Sequence, residues 1–527
     1  ARTGIDVTGG HIDLVDNSRI RVGTGDDLQI YHDGDNSYVQ DTGTGGLKIT
    51  GSDVYIRNTS DQDMIHASSG SFVKLYHNNS KKLETTTTGA KVTGALEVTQ
   101  EYPSIRPTLD LNFAATKTLD RRITFTRDGV GTYTDDMGIV KYASNNVPRF
   151  DHDPTTGESL GLLIEESRTN VAESSEDFGN TSFWSPTSQT ITTNVATAPD
   201  GTLTADNIVP ASGSADTRYL YFSASAYSMS ASASYATSIF VKKNGLRYFA
   251  LQAADNGSGS GLRAGFDLDN GTVVTSNVFG SASGVSASIV EFPNGWFRCI
   301  LTGTSASGSS TGRTAFSFSS ALDSNASVGA ITADGSSGGY VWGHQVEAGA
   351  FPTSYIPTSG STVTRGSDIA KITGTNFTDF FNQSEGTIKC SYWLGNDNIG
   401  LRVFQINDSD NSVIDIVAGS GGGNGGYGYV NTGGVAQANG GQSSANASYL
   451  NTLHVTTLAY KENDVAGINI KTGVLTTDTS AALDGAYNRV TFYQGNGETA
   501  FLNGRIQQVS YYPKRLPNAQ LQGLTPQ

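Results

Sequence analysis

Short runs in which apolar and polar residues alternate recur along most of the chain, and turn signals separate them. Residues 387–393 and 466–470 follow this period-two pattern, which sends successive side chains to opposite faces of a strand. The Asn-Gly and Asp-Gly pairs between residues 165 and 365 include those that begin at Asn244, Asn256, Asn270, Asn294 and Asp334. Such pairs favour the primed turns that match the twist of antiparallel hairpins. The pattern predicts an all-β chain of antiparallel strands.

The first hundred residues contain a repeat. Residues 28–37, LQIYHDGDNS, return 45 residues later as VKLYHNNS at 73–80, and each copy is an alternating strand that runs into a turn signal. These strands are short and carry few large apolar groups, so one copy cannot enclose a core. The pattern therefore predicts a repetitive, oligomeric β stalk in which several chains associate about an axis and cover the apolar stripe of one another.

Shifts in pattern divide the chain into four predicted parts. The β stalk at residues 1–100 is followed by a connector β region at 101–164. Two antiparallel β-sandwich domains follow, a jelly roll at 165–365 and a second sandwich at 366–527. A stretch rich in Pro, Ser and Gly at 352–364 is the predicted linker between the two sandwiches.

Composition argues against a helical bundle. The 527 residues include 63 Gly, and only 16% of them are charged, whereas a typical globular domain carries about 25% charged residues. Gly, Ser, Thr and Asn make up the difference. These residues suit turns and strands better than long helices.

The charge of the chain limits the classes of binding partner that it can have. A formal net charge of −15, with no basic run longer than two residues, argues against nucleic acid, because neutralising phosphates takes clustered Lys and Arg. No stretch approaches 18 uninterrupted apolar residues, and the first four residues lack the apolar core of a secretory signal. We therefore expect neither membrane insertion nor an export signal.

The repeat region resembles a known class of proteins. The strings VGTGDD at 22–27, YHDG at 31–34 and LYHNNSKKLETTTTGAKVTG at 75–94 are similar to repeats in tail-fibre and related virion proteins of marine phages, notably cyanophages. The resemblance covers most of the first hundred residues.

Two further resemblances follow along the chain. VPRFDHDP at 147–154, GESLGLLIEE at 157–166, GWFR at 295–298 and VWGHQVEAG at 341–349 are similar to a widespread phage tail module, usually described as a carbohydrate-binding jelly roll. FLNGRIQQVSYY at 501–512, with PNAQL soon after it, resembles the closing strand and short final helix of concanavalin-like or laminin-G-like sandwiches in phage proteins.

These resemblances imply a phage tail fibre, a virion structural protein that mediates attachment to the host cell. They imply a homotrimer, held in the virion by other tail or baseplate proteins, that binds a host surface polysaccharide. We expect binding and not catalysis, so the chain is predicted not to be an enzyme. The alternatives are a polysaccharide-degrading tailspike, and a virion decoration or connector protein with no receptor role.

Candidate glycan contacts come from aromatic residues beside polar ones, because aromatic faces stack on sugar rings while amides and guanidinium groups bond hydroxyls. Arg218, Tyr219 and Tyr221 form one candidate group, since the two tyrosines share a strand face. Tyr427 and Tyr429 form a second, which we expect a glycine-rich loop to display. Core packing is the alternative for each of these aromatic residues.

Other motifs point to chemistry less directly. The alternating oxygens of Asp408 and Asp410 suit calcium, with a solvated turn as the alternative; no other cofactor is expected. GESLG at 157–161 matches the spelling of a nucleophile elbow, but an apolar run follows where a helix is needed, which favours an ordinary turn. Cys299 and Cys390 lie in apolar, strand-like contexts and are predicted to be buried free thiols.

Overall fold

The computed structural model describes residues 7–87, 89–93, 105–215, 219–222, 227–255, 259–308, 311–328, 330–395, 400–408, 411–419, 426–441, 450–471, 473–483, 485–493 and 499–525. Nearly all regular structure in these residues is antiparallel β-sheet, and the all-β prediction is confirmed. The chain divides into two compact units, Ala1–Thr99 and Gln100–Gln527.

The first unit forms a three-stranded and a five-stranded sheet, each with its strands in chain order. Within residues 7–87 and 89–93, no residue is buried. The sheets therefore have no enclosed core, which agrees with the small number of large apolar residues. The strands are β1 (Arg19–Val22), β2 (Leu28–His32), β3 (Ser37–Asp41), β4 (Asp53–Arg57), β5 (Asp63–Ser68), β6 (Phe72–His77), β7 (Ser80–Thr86) and β8 (Gly89–Val92).

The second unit begins with six short strands and one helical turn. Asn112 caps that turn, since its side chain accepts a hydrogen bond from the backbone N–H of Ala115 at 3.1 Å. The elements are β9 (Leu109–Asn112), α1 (Phe113–Thr116), β10 (Thr124–Thr126), β11 (Gly131–Thr134), β12 (Val140–Ala143), β13 (Phe150–His152) and β14 (Ser159–Ile164).

The middle of the second unit contains its longest strands. A 3₁₀ turn, Pro293–Gly295, lies between two of them, and there Asn294 takes a positive φ of 62°. The strands are β15 (Arg168–Asn170), β16 (Trp184–Thr187), β17 (Gln189–Ala196), β18 (Ala205–Pro210), β19 (Gly213–Ala215), β20 (Tyr219–Phe222), β21 (Tyr227–Ser228), β22 (Ser234–Asn244), β23 (Tyr248–Asp255), β24 (Gly261–Asp267), β25 (Thr272–Phe279), β26 (Ser283–Phe292), β27 (Trp296–Thr304), β28 (Thr311–Ser319), β29 (Ile331–Ala333), β30 (Gly338–Ala348) and β31 (Val363–Arg365).

The last part of the second unit contains eleven more strands and two short helices among the described residues. Its final helix lies where the sequence predicted one. The elements are β32 (Ile369–Thr373), α2 (Thr375–Thr378), β33 (Glu385–Leu394), β34 (Leu401–Asn407), β35 (Val413–Ala418), β36 (Tyr427–Thr432), β37 (Val435–Gly440), β38 (Leu453–Lys461), β39 (Val465–Asn469), β40 (Thr476–Asp478), β41 (Arg489–Thr491), β42 (Gly504–Tyr512) and α3 (Asn518–Leu524).

Two separate stretches of chain build one sandwich, which we call the split sandwich. One sheet runs β10-β32-β41-β34-β35-β36-β37, and the other runs β13-β14-β42-β33-β38-β39-β40, with β9 also paired to β42. Leu109 and Leu111 lie opposite Tyr511 and Val509 in that pairing. All four side chains belong to one buried core, so residues 109–164 complete the sheets of residues 369–512.

The chain between these two stretches forms a second sandwich, which we call the inserted sandwich. One of its sheets runs β16-β20-β28-β23-β24-β25, with β21 also paired to β28, and the other runs β17-β18-β30-β22-β27-β26. Phe249, Phe316 and Trp184 are among the fully buried side chains that fill the space between the sheets. The strand pair β15–β31 brings the chain into and out of this sandwich.

The stretch predicted as a linker is packed into the fold. Tyr355 and Ile356 have only 2% and 0% of their surface exposed, and the Tyr355 hydroxyl donates a hydrogen bond to Glu176 Oε1 at 2.7 Å. The composition of residues 352–364 is rich in Pro, Ser and Gly and so suggested a linker, but its apolar residues Tyr355 and Ile356 pack into the core. Trp342, which packs against Tyr355, is a fully buried core residue.

Among the described residues, no helix is long and apolar enough to span a membrane.

Candidate functional site

One row of side chains crosses four strands on the outer face of the inserted sandwich. Strand pairing places Tyr221 of β20 opposite Ala315 of β28, Ala315 opposite Gln252 of β23, and Gln252 opposite Arg263 of β24. Residues directly opposite one another in antiparallel strands point to the same face. The row therefore presents a phenol, a methyl group, an amide and a guanidinium group side by side.

Small residues at the centre of this face leave a depression. Ala250 and Ala315 are buried there together with Val328, which belongs to the segment that follows β28. The same segment forms one wall of an open cavity of about 430 Å³. We call this feature the groove, and its lining residues are Tyr219, Gln252, Arg263, Arg313, Ala315, Asp323, Ser327, Val328 and Ala330.

The aromatic end of the groove is made by β20. Tyr219 and Tyr221 are two residues apart, so both point outward while Leu220 and Phe222 are fully buried. The two rings are half-buried, with centroids 5.7 Å apart. The guanidinium carbon of Arg313 lies 5.4 Å from the centroid of the Tyr221 ring, within cation–π range.

The opposite end of the groove is polar and held in place from two sides. The guanidinium carbon of Arg263 lies 4.1 Å from the centroid of the Phe279 ring, and Arg263 Nη1 donates to Ser327 Oγ at 2.8 Å. Asp323 Oδ1 accepts a hydrogen bond from the Ser327 backbone N–H at 2.7 Å. Asp323 therefore closes the turn that carries Ser327, and Ser327 orients Arg263.

The structure brings together two of the three residues in the first predicted group of glycan contacts. Tyr219 and Tyr221 share one face at the groove, whereas Arg218 lies outside the described residues. Sequence reasoning missed Gln252, Arg263 and Arg313. Each is a polar residue at an outward position of a largely apolar strand, and that signal marks single positions without showing that they share a site.

The second group, Tyr427 and Tyr429, is not displayed by a loop, and that expectation is wrong. Both residues lie in β36, which is hydrogen-bonded to β35 on one side and β37 on the other. Both rings are half-buried, and burial raises the pKa of the Tyr427 hydroxyl above its usual value. Gly428 and Val430 are the buried alternate positions of this strand, so both tyrosines point to its other face.

The predicted calcium site is only partly described. Asp408 is buried, and its Oδ1 accepts a hydrogen bond from the backbone N–H of Ser412 at 3.0 Å. Arg489 Nη2 donates to the Asp408 carbonyl at 3.1 Å, so a cationic group already lies beside this turn. Asp410 lies outside the described residues, and calcium binding stays a prediction. Elsewhere in the described chain, no group of three or more His, Cys, Asp or Glu residues could hold a metal ion.

The serine of the GESLG motif occupies a strand. Ser159 is the first residue of β14 and lies opposite His152 of β13, so the strand–turn–helix context of a nucleophile elbow is not formed here. Cys299 and Cys390 are fully buried free thiols, as predicted. Burial raises the pKa of both thiols well above its usual value.

No protein-family model and no curated protein matches this chain. Several solved structures are similar to it. The CBM40 of the Ruminococcus gnavus IT-sialidase, bound to α2,6-sialyllactose, matches 28% of this chain and 85% of its own, with 16% identity and a TM-score of 0.23. Trypanosoma rangeli sialidase in complex with sialic acid matches 94% of this chain and 88% of its own, with 10% identity and a TM-score of 0.24.

Domains LG4-5 of the mouse laminin α1 chain match 66% of this chain and 87% of their own, with 9% identity and a TM-score of 0.18. The similar structures thus include a carbohydrate-binding module, sialidases and laminin LG domains. The TM-scores are too low to assign a function.

These matches contradict the prediction that the chain is not an enzyme, because a leech intramolecular trans-sialidase and Trypanosoma rangeli sialidase are among them. The prediction depended on the resemblance to tail fibres and on the lack of a recognisable catalytic motif along the sequence. Catalytic groups, however, come together only in the folded chain, so that observation could not support it. The prediction is withdrawn, and the same low TM-scores assign no reaction.

Proposed function

We propose that this chain is a subunit of a phage tail fibre or related virion adhesin and that it attaches to the host by binding a surface polysaccharide in the groove. One observation carries the binding part of this proposal. A tyrosine, an amide and two guanidinium groups surround a cavity of about 430 Å³ on a single sheet face. Ring faces stack on the C–H surfaces of a pyranose while the polar groups bond its hydroxyls.

The groove is well suited to binding because its groups are held before a ligand arrives. Tyr219, Tyr221, Gln252, Arg263 and Arg313 all lie on strands that are hydrogen-bonded into one sheet. A site on such strands orders few side chains on binding, so less of the interaction energy is lost to ordering. A single groove of this size still makes few contacts, and attachment gains when several copies act together.

The first unit offers a way to bring copies together. Ile56, Ile65, Leu75, Leu83 and Val92 lie opposite one another across all five strands from β4 to β8. Ile56, Leu75 and Val92 are 48%, 40% and 38% exposed. This row is an uncovered apolar stripe, and burying it against sister chains would be favourable.

The smaller sheet repeats the arrangement. Ile20, Ile30 and Val39 form one cross-strand row, and their side chains are 47%, 42% and 58% exposed. We assign both rows to the interior of a homotrimeric stalk, as the resemblance of residues 22–34 and 75–94 to phage fibre repeats implies. In this proposal other tail or baseplate proteins hold the stalk in the virion.

The groove is tested by measuring binding of the full chain to a printed panel of bacterial surface polysaccharides, including those of marine cyanobacteria. The double variant Tyr219→Ala, Tyr221→Ala should lose at least about tenfold in affinity, since each stacked aromatic contributes on the order of 1 kcal/mol. Tyr142→Ala is the matched control, because Tyr142 is an exposed tyrosine on β12, outside the groove. Assaying reducing ends in the same incubations shows whether a bound polysaccharide is also cleaved.

Two results would contradict the proposal. If the double variant binds every panel member as the parent chain does, the groove is not the attachment site. If antibodies raised against the chain do not label intact particles of a phage whose genome encodes it, the virion assignment fails. A labelled particle whose adsorption is unaffected by the double variant would instead favour a decoration or connector role.

A further inference from the structure

Two arginines at the groove have no acidic partner. Acidic residues outnumber basic ones in this chain, 49 to 34, and salt bridges engage most arginines of the second unit. Among the described residues, however, neither Arg263 nor Arg313 forms an ion pair, and the Nε atoms of both are buried without a hydrogen-bond partner. Asp323, the one carboxylate among the described lining residues, accepts a hydrogen bond from the Ser327 backbone N–H at 2.7 Å.

Both guanidinium groups are fixed by their surroundings. Arg313 lies over the Tyr221 ring and Arg263 over the Phe279 ring, at 5.4 and 4.1 Å from the ring centroids. Stacking on a ring holds the guanidinium plane, and because both Nε atoms are buried, only the Nη edge of each group can meet a ligand. That edge matches the two oxygens of a carboxylate or sulfate, which an arginine can bond bidentately.

The two arginines also face one ligand-sized space. Arg313 lies opposite Ala254, and Arg263 lies opposite Gln252 on the same strand, β23. They are thus two strands and two residues apart, which separates their backbones by about 12 Å at standard strand spacing and rise. Side chains of this length can reach the same sugar or adjacent sugars from opposite ends of the groove.

We infer that the groove selects an acidic glycan and that Arg263 and Arg313 bind a carboxylate or sulfate group on it. This inference rests on the proposed function, since it concerns the ligand of the same site. An anionic group supplies the partners that the protein does not give these arginines. The aromatic end of the groove then contacts the uncharged part of the sugar.

The test uses pairs of probes that differ only in charge. Tri-galacturonate and its methyl ester form the carboxylate pair, and a sulfated galactan trisaccharide and its desulfated form make the sulfate pair. Affinity for the full chain is measured by calorimetry at two salt concentrations, alongside the polysaccharide panel. We expect acidic members to bind at least about tenfold more tightly than their neutral counterparts, with the difference shrinking as salt is raised.

Arg313→Gln should weaken binding of the acidic members at least tenfold. Arg313→Lys should weaken it less than Arg313→Gln does, but the affinity should still be below that of the parent, because a lysine keeps the charge and lacks the two-pronged guanidinium group that bonds both oxygens. Lys243→Gln is the matched control, since it removes the same charge from an exposed position in the other sheet. Protection of Cys299 from a thiol reagent verifies that each variant is folded.

If neutral and acidic members bind equally, or Arg313→Gln binds like the parent, the acidic-glycan inference is overturned while glycan binding stands. If no panel member or probe binds, the proposed function is overturned and the inference with it.

Discussion

Nη2 of Arg149 lies 2.5 Å from Oδ2 of Asp368, and neither side chain has any exposed surface. Arg127 Nη1 contacts the other carboxylate oxygen at 3.2 Å, and Arg365 Nη1 lies 3.7 Å from Oδ2. Glu165 completes the cluster, with Oε2 at 2.8 Å from Arg149 Nη1. Three buried cations therefore depend on two carboxylates at the point where the two sandwiches join.

Asp368→Asn should destabilise the second unit strongly. The substitution leaves three buried guanidinium groups with one carboxylate, and breaking a buried pair typically costs about 3–5 kcal/mol. Urea unfolding should show this decrease in the free energy of unfolding. Asp269→Asn, which breaks an exposed pair with Lys243, should change it by about 0.5 kcal/mol or less. Equal effects of the two substitutions would show that the buried cluster contributes no more than a surface pair.

The two sandwiches should unfold together. Val140 of β12 packs with Phe240, Trp342 and Tyr355 in one cluster that joins the first strands of the unit to the inserted sandwich. Cys299 lies in the core of the inserted sandwich and Cys390 in that of the split sandwich, so each thiol reports on one of them. In a urea series, both thiols should become reactive to a thiol reagent over the same range. Two well-separated transitions in the parent chain would refute this coupling.

His344 should make the inserted sandwich sensitive to acid. Its ring is fully buried against Trp184 and Phe222, and burial lowers the pKa of His344 to about 3. The unfolded chain binds a proton at the ordinary pKa of about 6.5 while the folded chain does not, so stability falls as the pH drops below 6.5. The loss is about 1.4 kcal/mol per pH unit, or about 2 kcal/mol at pH 5.

The variant His344→Phe isolates this effect, because phenylalanine fills the same aromatic site without a titrating group. Its free energy of unfolding should gain about 2 kcal/mol relative to the parent between pH 7 and pH 5. His32→Gln, at an exposed position in the first unit, should follow the parent curve. Parallel curves for His344→Phe and the parent would rule out the buried imidazole as the source.

Leu75→Ser should weaken association of the stalk. Leu75 is central in the apolar row from Ile56 to Val92, and it is 40% exposed in a single chain, so the change removes little from the isolated unit. Analytical ultracentrifugation should find the parent at about three times 55.3 kDa and the variant shifted toward monomer. Lys91→Ser, next to Val92 on the opposite face of β8, is the control and should keep the parent mass. A monomeric parent chain would contradict the stalk proposal.

Local sequence determined the strand content, the shared face of Tyr219 and Tyr221, and the exposed apolar rows of the first unit. Each of these follows from the period of two within a strand and from the number of apolar residues nearby, which are properties of neighbouring positions. The burial of Cys299 and Cys390 was predictable for the same reason, since both lie in apolar runs.

Only the tertiary structure decided which strands became neighbours. Arg263 and Arg313 are 50 positions apart, and they face one groove because β23 pairs with both of their strands. Leu109 and Tyr511 are likewise distant in sequence, and they meet because β9 pairs with β42. Pairing between distant strands depends on how the whole core packs, and period-two alternation is the same for every possible partner. The sequence pattern therefore shows which side chains point outward, and the packed fold decides which of them meet.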